Sequence, residues 1–219
     1  MTPEGNVAVT LRRQRCVTVW TTDGHCLGEF GQDLLQCPTG LGVDTSGRLY
    51  VSDEEENDVY VFHKTGRISH RFSDTMKTTL CQPRYVWCSR SDRVLVSDSG
   101  NHCVKVFNTQ GKLLFHFGSY GNKDDQFKFP YGVCADQDDN IIVADHYNDR
   151  VVLFSPCGEF LQNLVTSAKG LNRPCGVAVR SSHTRKLYIT HGDLMSLEVV
   201  VFNMVPLEYH IQVDMEQNV

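Results

Sequence analysis

The chain of 219 residues lacks the features that mark several classes of protein. No apolar stretch is long enough to cross a bilayer as a helix. No window keeps an apolar period of 3.6 residues over about ten positions, which argues against a helical fold. The opening segment, Met1–Gly5, has neither a basic region nor an apolar one, so no secretory signal is visible. We therefore expect a cytoplasmic protein with no membrane partner.

Cysteine is abundant, but the patterns that give it a covalent or metal-binding role are missing. The nine cysteines are odd in number and never form a Cys-x-x-Cys pair, which argues against a disulfide framework and a structural zinc site. Cys88, Cys134 and Cys175 lie in or beside apolar runs, where a small apolar side chain suits a crowded interior. The sequence predicts packing residues in a reducing compartment.

The sequence also has little net charge. A formal charge of -5, with 41% hydrophobic and 21% charged residues, is typical of one ordinary globular domain. Domains that bind nucleic-acid phosphates usually carry a basic balance. We expect no DNA partner.

The chain does contain a block of about 45 residues that recurs along it. The copies open at Pro38, Pro83, Pro130 and, less regularly, Pro174. Each of the first three has four short apolar runs with turn residues between them, and a glycine precedes the fourth run at Gly66, Gly111 and Gly158. Such runs predict four antiparallel strands. Because one sheet cannot bury both of its faces, neighbouring units must pack face to face. The period predicts an all-β fold, a β-propeller of about five four-stranded blades.

We expect one propeller domain over 1–219, divided into a partial blade, four blades and a tail. The predicted ranges are 5–36 for the partial blade, then 37–80, 81–127, 128–172 and 173–213 for the blades, and 214–219 for the tail. The partial blade begins with Val7–Thr10, which matches a second strand with no innermost strand before it. Alternation from Val205 to Val213 predicts the outer strand of the last blade.

Two copies of the block resemble the NHL repeat. The segment Pro130–Phe154 carries the run Ala144-Asp145-His146-Tyr147-Asn148, and the segment Val96–Phe107 contains the pair Asn101-His102. The link from Phe115 to Pro130 is similar to the blade connector of TRIM-NHL ubiquitin ligases. Propellers of that family usually close with six blades, so the resemblance implies a ring that is about one blade short.

The resemblance implies a non-catalytic module for protein interaction or substrate recognition, linked to ubiquitination through a partner or a longer parent chain. The zinc-binding RING and B-box and the coiled coil of such ligases are not in this sequence. We find no nucleophile motif and no phosphate-binding glycine loop. We therefore expect no catalytic residue and no cofactor.

Acidic and histidine side chains offer a second hypothesis, a metal-dependent propeller enzyme of the lyase or lactonase type. Asp98 and Asp145 are each followed three residues later by asparagine, a pattern typical of an Asx turn between strands two and three. His102, His146 and His191 fall at different offsets within their blades and should not converge. We expect no metal site.

The loops before the first strands and between strands two and three should share one face of the propeller. On this face we place eight candidate binding residues: Arg84, Tyr85, Lys128, Tyr131, His146, Tyr147, Arg150 and Arg173. Cations between aromatic rings could stack on and neutralise unpaired RNA, and several TRIM-NHL propellers bind RNA through the matching face. The acidic run Asp53–Glu56 in one of these loops argues against RNA. We expect a protein partner, with RNA as the alternative.

Overall fold

The computed structural model describes residues 1–74, 80–181, 185–193, 196–206 and 211–215. The strands in these ranges are β1 (Val7–Leu11), β2 (Cys16–Trp20), β3 (Cys26–Phe30), β4 (Pro38–Val43), β5 (Leu49–Asp53), β6 (Asp58–Phe62), β7 (Ile68–Arg71), β8 (Pro83–Cys88), β9 (Arg93–Asp98), β10 (Cys103–Asn108), β11 (Leu113–Phe117), β12 (Pro130–Ala135), β13 (Ile141–Asp145), β14 (Arg150–Phe154), β15 (Phe160–Thr166), β16 (Gly176–Ser181), β17 (Arg185–Asp193), β18 (Ser196–Pro206) and β19 (Ile211–Met215). Short 3-10 helices span Phe72–Asp74, Ser99–Asn101, His146–Asn148 and Ser167–Lys169. No helix in these ranges is long and apolar enough to cross a bilayer.

Consecutive strands pair antiparallel to form five sheets within the described residues. The first sheet has three strands, β1–β3, and the others have four each: β4–β7, β8–β11, β12–β15 and β16–β19. Each four-stranded sheet is one blade. The prediction of an all-β propeller with four-stranded blades is confirmed.

The outer strand of the last sheet differs from its prediction. The alternation from Val205 to Val213 predicts one strand, but β18 ends at Pro206 and β19 begins at Ile211. In the register of these strands Val205 lies opposite Gln212. Val205 therefore belongs to β18, whereas Ile211 and Val213 belong to the outer strand β19. Residues 207–210 lie outside the described residues.

The chain divides into two compact units, Met1–His116 and Phe117–Val219. In the first unit, β5 is buried at every position because sheets pack on both of its faces. Leu49 and Val51 join one apolar cluster with Val17. Tyr50, on the opposite face, joins another cluster with Val86. This two-sided packing is the reason that the central strands are continuous apolar runs.

The predicted glycine turns contact the blade before them. Gly66, Gly111 and Gly158 have φ angles of +82°, +81° and +85°, a left-handed backbone that favours glycine. A Cβ at each position would lie 2.7 Å from the ring of Phe30, Phe72 or Phe117, respectively. Glycine therefore supplies both the turn and the space for an aromatic ring.

In the second unit the aromatic packing centres on Phe154 of β14. The Phe154 ring centroid lies 4.8 Å from that of Phe117 and 5.4 Å from that of Phe127. These tilted contacts are typical of aromatic cores. They connect β14 with Phe117 and with the segment that leads into β12.

Candidate binding site

A buried aspartate ends the second strand of three blades and holds the segment that enters the first strand. Asp53, Asp98 and Asp145 have no exposed surface. Each carboxylate accepts the N–H of the residue two positions before the proline that opens the blade. The donors are Gln36 for Asp53, Cys81 for Asp98 and Lys128 for Asp145, each at 2.7 Å. The Asx turns predicted at Asp98 and Asp145 are not formed, because neither side chain caps the short 3-10 helix that follows it. Their backbone N–H donors lie 17 residues earlier in the sequence.

Two of these aspartates also bind a cation from the third strand. Lys105 Nζ lies 2.6 Å from Asp98 Oδ2. Arg150 Nε lies 2.8 Å from Asp145 Oδ2. The asparagine three residues after each aspartate donates its side-chain N–H to the same carboxylate oxygen. Each carboxylate therefore joins the first, second and third strands of its blade.

Burial is the largest influence on the pKa of Asp145 and raises it above the ordinary value. Hydrogen bonds from the side chain of Asn148, the backbone of Lys128 and the guanidinium of Arg150 act in the opposite direction. A buried carboxylate needs such donors to remain in the interior. The cluster is a structural connection within the blade.

In the last blade His191 occupies the position of the aspartate. Its Nδ1 accepts the N–H of Asn172 at 3.3 Å, and Asn172 also lies two residues before the proline of its blade. The imidazole therefore has the same acceptor role as the carboxylates. Within the described ranges, no three His, Cys, Asp or Glu side chains group as metal ligands.

The second unit brings four of the eight predicted face residues together with Phe129. We call Phe129, Tyr131, His146, Tyr147 and Arg173 the aromatic cluster. The rings of Tyr131 and His146 stack with centroids 4.0 Å apart and planes 6° apart. His146 Nδ1 lies 3.1 Å from the carbonyl oxygen of Pro174. Because a carbonyl only accepts, Nδ1 carries the hydrogen in this contact, which fixes the imidazole ring under Tyr131.

Tyr147 is the exposed centre of the aromatic cluster. Half of its surface is open, with a relative exposure of 50%. Its ring lies edge-on to the rings of His146, at 4.6 Å, and Phe129, at 5.5 Å. The guanidinium carbon of Arg173 lies 5.8 Å from the Tyr147 ring centroid, within the range of a cation–π contact. Arg173 is exposed, so an arginine and a tyrosine are presented together.

Two predicted face residues of the second unit are placed differently. Arg150 is buried, and beyond its ion pair with Asp145 it donates to the carbonyls of Lys123 and Gln126 at 2.7 and 2.6 Å. It therefore does not contribute a cation to the exposed surface. Lys128 is half-buried. Its contact with the aromatic cluster is made by its backbone, since Tyr147 N donates to Lys128 O at 3.1 Å.

The remaining predicted residues lie in the first unit. Arg84 pairs with Glu54 at 2.8 Å, and Arg12 pairs with the other carboxylate oxygen of Glu54 at 2.8 Å. Tyr85 is half-buried, and its backbone N–H donates to Ser97 Oγ at 2.9 Å. Within this unit the acidic loop therefore neutralises Arg84.

Sequence reasoning missed Phe129. It directly precedes the blade-opening Pro130 and has a φ of +52°, as Gln82 and Arg173 do before their own prolines, at +50° and +45°. In three of the four copies, the residue before the repeated proline therefore has a left-handed backbone, and Cys37 before Pro38 is the exception. That position in the repeat is the signal by which Phe129 could have been found.

Comparison with known proteins supports the assignment of the repeat. A family model of the NHL repeat matches residues 80–107 and 127–154. The B-box type zinc finger protein ncl-1 of Caenorhabditis elegans is 30% identical over 150 residues, which cover 65% of this chain and 17% of that protein. The human E3 ubiquitin-protein ligase TRIM32 is 24% identical over 198 residues, which cover 82% of this chain and 29% of that protein. The chain is a β-propeller with NHL repeats at residues 80–107 and 127–154, and it is similar in sequence to ncl-1 and TRIM32.

Enzymes are among the similar proteins as well. The probable peptidyl-alpha-hydroxyglycine alpha-amidating lyase pgal-1 of Caenorhabditis elegans is 26% identical over 151 residues, covering 64% of this chain and 43% of that protein. The chain spans less than half of the length of the three curated relatives described. The crystal structure of virginiamycin B lyase from Staphylococcus aureus matches all of this chain and 69% of the lyase, with a TM-score of 0.72 and 13% identity. At that identity the likeness shows the fold alone.

Proposed function

We propose that this chain is a non-catalytic scaffold that binds a protein partner through the aromatic cluster. The single observation that carries the proposal is the exposed Tyr147 ring, held by two further rings and covered on one side by Arg173. Tyrosine and arginine are enriched at the centres of protein interfaces. The loops that hold them are stabilised by the buried Asp145 cluster, so the surface is pre-organised for binding.

The partner is a substrate of ubiquitination in this proposal. The relative TRIM32 is named an E3 ubiquitin-protein ligase, and 82% of this chain matches 29% of it. This chain would recognise the substrate in the cytoplasm, while a partner or a longer parent chain would transfer ubiquitin. The scaffold itself would need no cofactor.

RNA is the alternative ligand, favoured by the stacking chemistry of the aromatic cluster. Electrostatics favours a protein instead. Arg150 is committed to Asp145 and to two backbone carbonyls, which leaves fewer cations in the second unit for phosphates. The formal charge of -5 acts in the same direction.

A metal-dependent lyase or lactonase is the second alternative. It is favoured by the pgal-1 match, since that relative is named as a lyase. The histidine at the aspartate position, His191, accepts a backbone N–H through Nδ1, so a neutral imidazole carries its hydrogen on Nε2 and has no free lone pair for a metal. In the described residues no three His, Cys, Asp or Glu side chains group as metal ligands, which favours the scaffold.

The test is quantitative affinity capture from a cytoplasmic extract with the wild-type chain, Tyr147→Ala and Arg173→Ala. Leu161→Ala is the matched control, because Leu161 is exposed (45%) on β15 of the same unit and lies outside the aromatic cluster. We expect specific protein partners to be lost in both cluster variants and kept in the control. Capture that is identical in all variants would contradict the proposal, and capture that disappears after ribonuclease treatment would assign the surface to RNA.

A further inference from the structure

Among the described residues, strand β1 has no neighbouring strand on one of its two edges. Its register places Leu11 opposite Cys16, as Asp53 lies opposite Asp58 in the next sheet, so β1 corresponds to a second strand. In every four-stranded sheet the second strand pairs on both sides, whereas in the described residues β1 pairs with β2 alone. Backbone groups along one side of β1 are therefore available to a further strand.

At this edge of β1, Thr10 carries a hydroxyl of the kind that accepts a backbone N–H from the innermost strand in other blades. In three blades a hydroxyl on the second strand directly precedes Asp53, Asp98 or His191. It accepts the N–H of the third residue counted from the proline that opens the blade. These pairs are Ser52 with Gly40 at 2.9 Å, Ser97 with Tyr85 at 2.9 Å, and Thr190 with Gly176 at 2.7 Å. Thr10 occupies the corresponding position of β1.

The Thr10 hydroxyl is oriented but still able to accept. It donates to the carbonyl oxygen of Thr39 on β4 at 2.9 Å, and within the described part of the chain it receives no hydrogen bond. The edge also carries no charge to repel another strand, since β1 reads Val-Ala-Val-Thr-Leu. Val7 and Val9 are 38% and 39% exposed, so a neighbouring strand would remove apolar surface from water.

The neighbouring inner strand restricts what could lie there. A Cβ at Gly40 of β4 would lie 2.5 Å from Tyr85 Cα of β8, and a Cβ at Gly132 of β12 would lie 2.6 Å from Cys175 O. These are backbone atoms and cannot move aside as a flexible side chain can. The innermost strand β8 carries Tyr85 at this position, so glycine is required only where two inner strands approach this closely. A strand beside β1 that approaches β4 as closely as β4 approaches β8 would need glycine as its third residue.

We propose that the edge of β1 binds an extended segment of another polypeptide as an antiparallel fourth strand. The segment has the pattern Pro-x-Gly-aliphatic-x-aliphatic, which is that of Pro38–Val43, and Thr10 Oγ1 accepts the N–H of its glycine. Leu11 stands where the next blades have a carboxylate, so residues before the proline of the segment add nothing to recognition. This proposal does not depend on the function assigned to the aromatic cluster.

The test uses a fluorescent peptide with the sequence of residues 38–43 and the whole chain, with binding measured by anisotropy. Thr10→Val should weaken binding about three- to tenfold, the range expected for one hydrogen bond, while Thr10→Ser should retain it. A peptide with valine at its third position should not bind. Absence of binding by the parent peptide, or equal binding of the valine peptide, would overturn the proposal.

A second arm identifies the source of the strand. The same six-residue sequence is joined to Met1 through a flexible linker, and hydrogen exchange of β1 is compared with that of the wild-type chain with and without free peptide. Slower exchange of β1 with the free peptide supports a partner polypeptide. Slower exchange only in the fused chain would assign the strand to the same polypeptide and overturn the partner assignment.

Discussion

At the residue scale, the repeated aspartate is a connector within the blade. Asp98 and Asp145 each bind a backbone N–H from the start of their blade, an asparagine side chain and a cation. A carboxylate is suited to this position because it accepts several hydrogen bonds at once. The sequence pattern reveals the aspartate and the asparagine. The backbone N–H donor and the cation become evident only in the folded structure.

We expect Asp98→Ala to lower the free energy of unfolding by about 3 kcal/mol or more, because it leaves Lys105 and the Cys81 N–H without their buried acceptor. Urea denaturation followed by fluorescence would measure the change. Asp33→Ala is the control, since Asp33 is exposed, and should change stability by less than about 0.5 kcal/mol. A similar stability for the two variants would contradict the connector role.

Asp44 provides a pH-dependent contribution to stability. Burial would raise its pKa, but hydrogen bonds from Ser46 and Arg48 and the Arg48 charge outweigh it and hold the pKa below the ordinary value of 3.8. The folded state therefore favours the ionised form, so the stabilisation is complete above the ordinary pKa and is lost as the pH falls through the folded-state pKa. We expect the stability difference between wild type and Asp44→Asn to be constant from about pH 5 to 7 and to shrink below about pH 4. Urea titrations across this range would measure it, and a difference independent of pH would contradict the assignment.

The cysteines should fall into two reactivity classes. Burial raises the pKa of Cys103 to about 12 and also raises the pKa of Cys134, whereas Cys26 and Cys157 are exposed. The thiolate is the reactive form, so alkylation at pH 8 should modify Cys26 and Cys157 in the folded protein and reach the other two only after denaturation. Peptide mass spectrometry would identify the sites, and early modification of Cys134 would contradict this burial.

At the scale of elements, glycine has two roles. On the inner strands β4 and β12 it allows the backbones of neighbouring strands to approach closely. In the turns before the outer strands it adopts the left-handed backbone that the turn requires. Alternation and turn residues predict the four strands of each blade because both signals are local. The C-terminal pattern from Val205 to Val213 predicts the outer strand but not where it begins, because Val205 lies on β18 and β19 begins at Ile211. The alternation of apolar residues in one segment does not show where that segment ends one strand and begins the next, because this depends on which residues pair.

We expect Gly40→Ala to destabilise the first unit by about 1 to 3 kcal/mol, the usual cost of overpacking, because its Cβ would meet the backbone of β8. Gly28→Ala is the matched control on β3, where a Cβ would have no heavy atom within 4 Å. Thermal denaturation of the two variants should therefore give a lower midpoint for Gly40→Ala alone. Equal midpoints would contradict the close approach of β4 and β8.

At the scale of the whole molecule, a propeller presents loops between its strands, and binding residues concentrate on loops. Within the second unit the fold assembles Tyr131, His146 and Tyr147 with Arg173, although these residues come from three separate segments of the chain. The combination of rings and one exposed arginine is suited to a protein interface. The same fold occurs in a lyase. The fold therefore does not separate a binding scaffold from an enzyme, and the side chains on the loops have to be compared instead.

Metal analysis separates these two classes. We expect purified protein to hold less than about one zinc or calcium ion per chain, and chelation to leave the midpoint of thermal unfolding unchanged, since ligand binding would otherwise stabilise the folded state. Atomic emission and calorimetry would measure both quantities. One tightly held ion per chain, together with a lower midpoint after chelation, would favour the metal-dependent enzyme.

The sequence by itself determined the repeat, the strands of each blade and the NHL-type loops, because alternation, glycine turns and motif spacing act over a few neighbouring residues. It also indicated most of the aromatic cluster, since those residues follow from their place in the repeat. Tertiary structure alone decided that Arg150 turns inward to Asp145, that Phe129 supports Tyr147, and that His191 replaces a carboxylate. Each of these outcomes depends on a contact made in the folded chain, where burial requires a polar group to find a partner and space determines which side chain remains exposed.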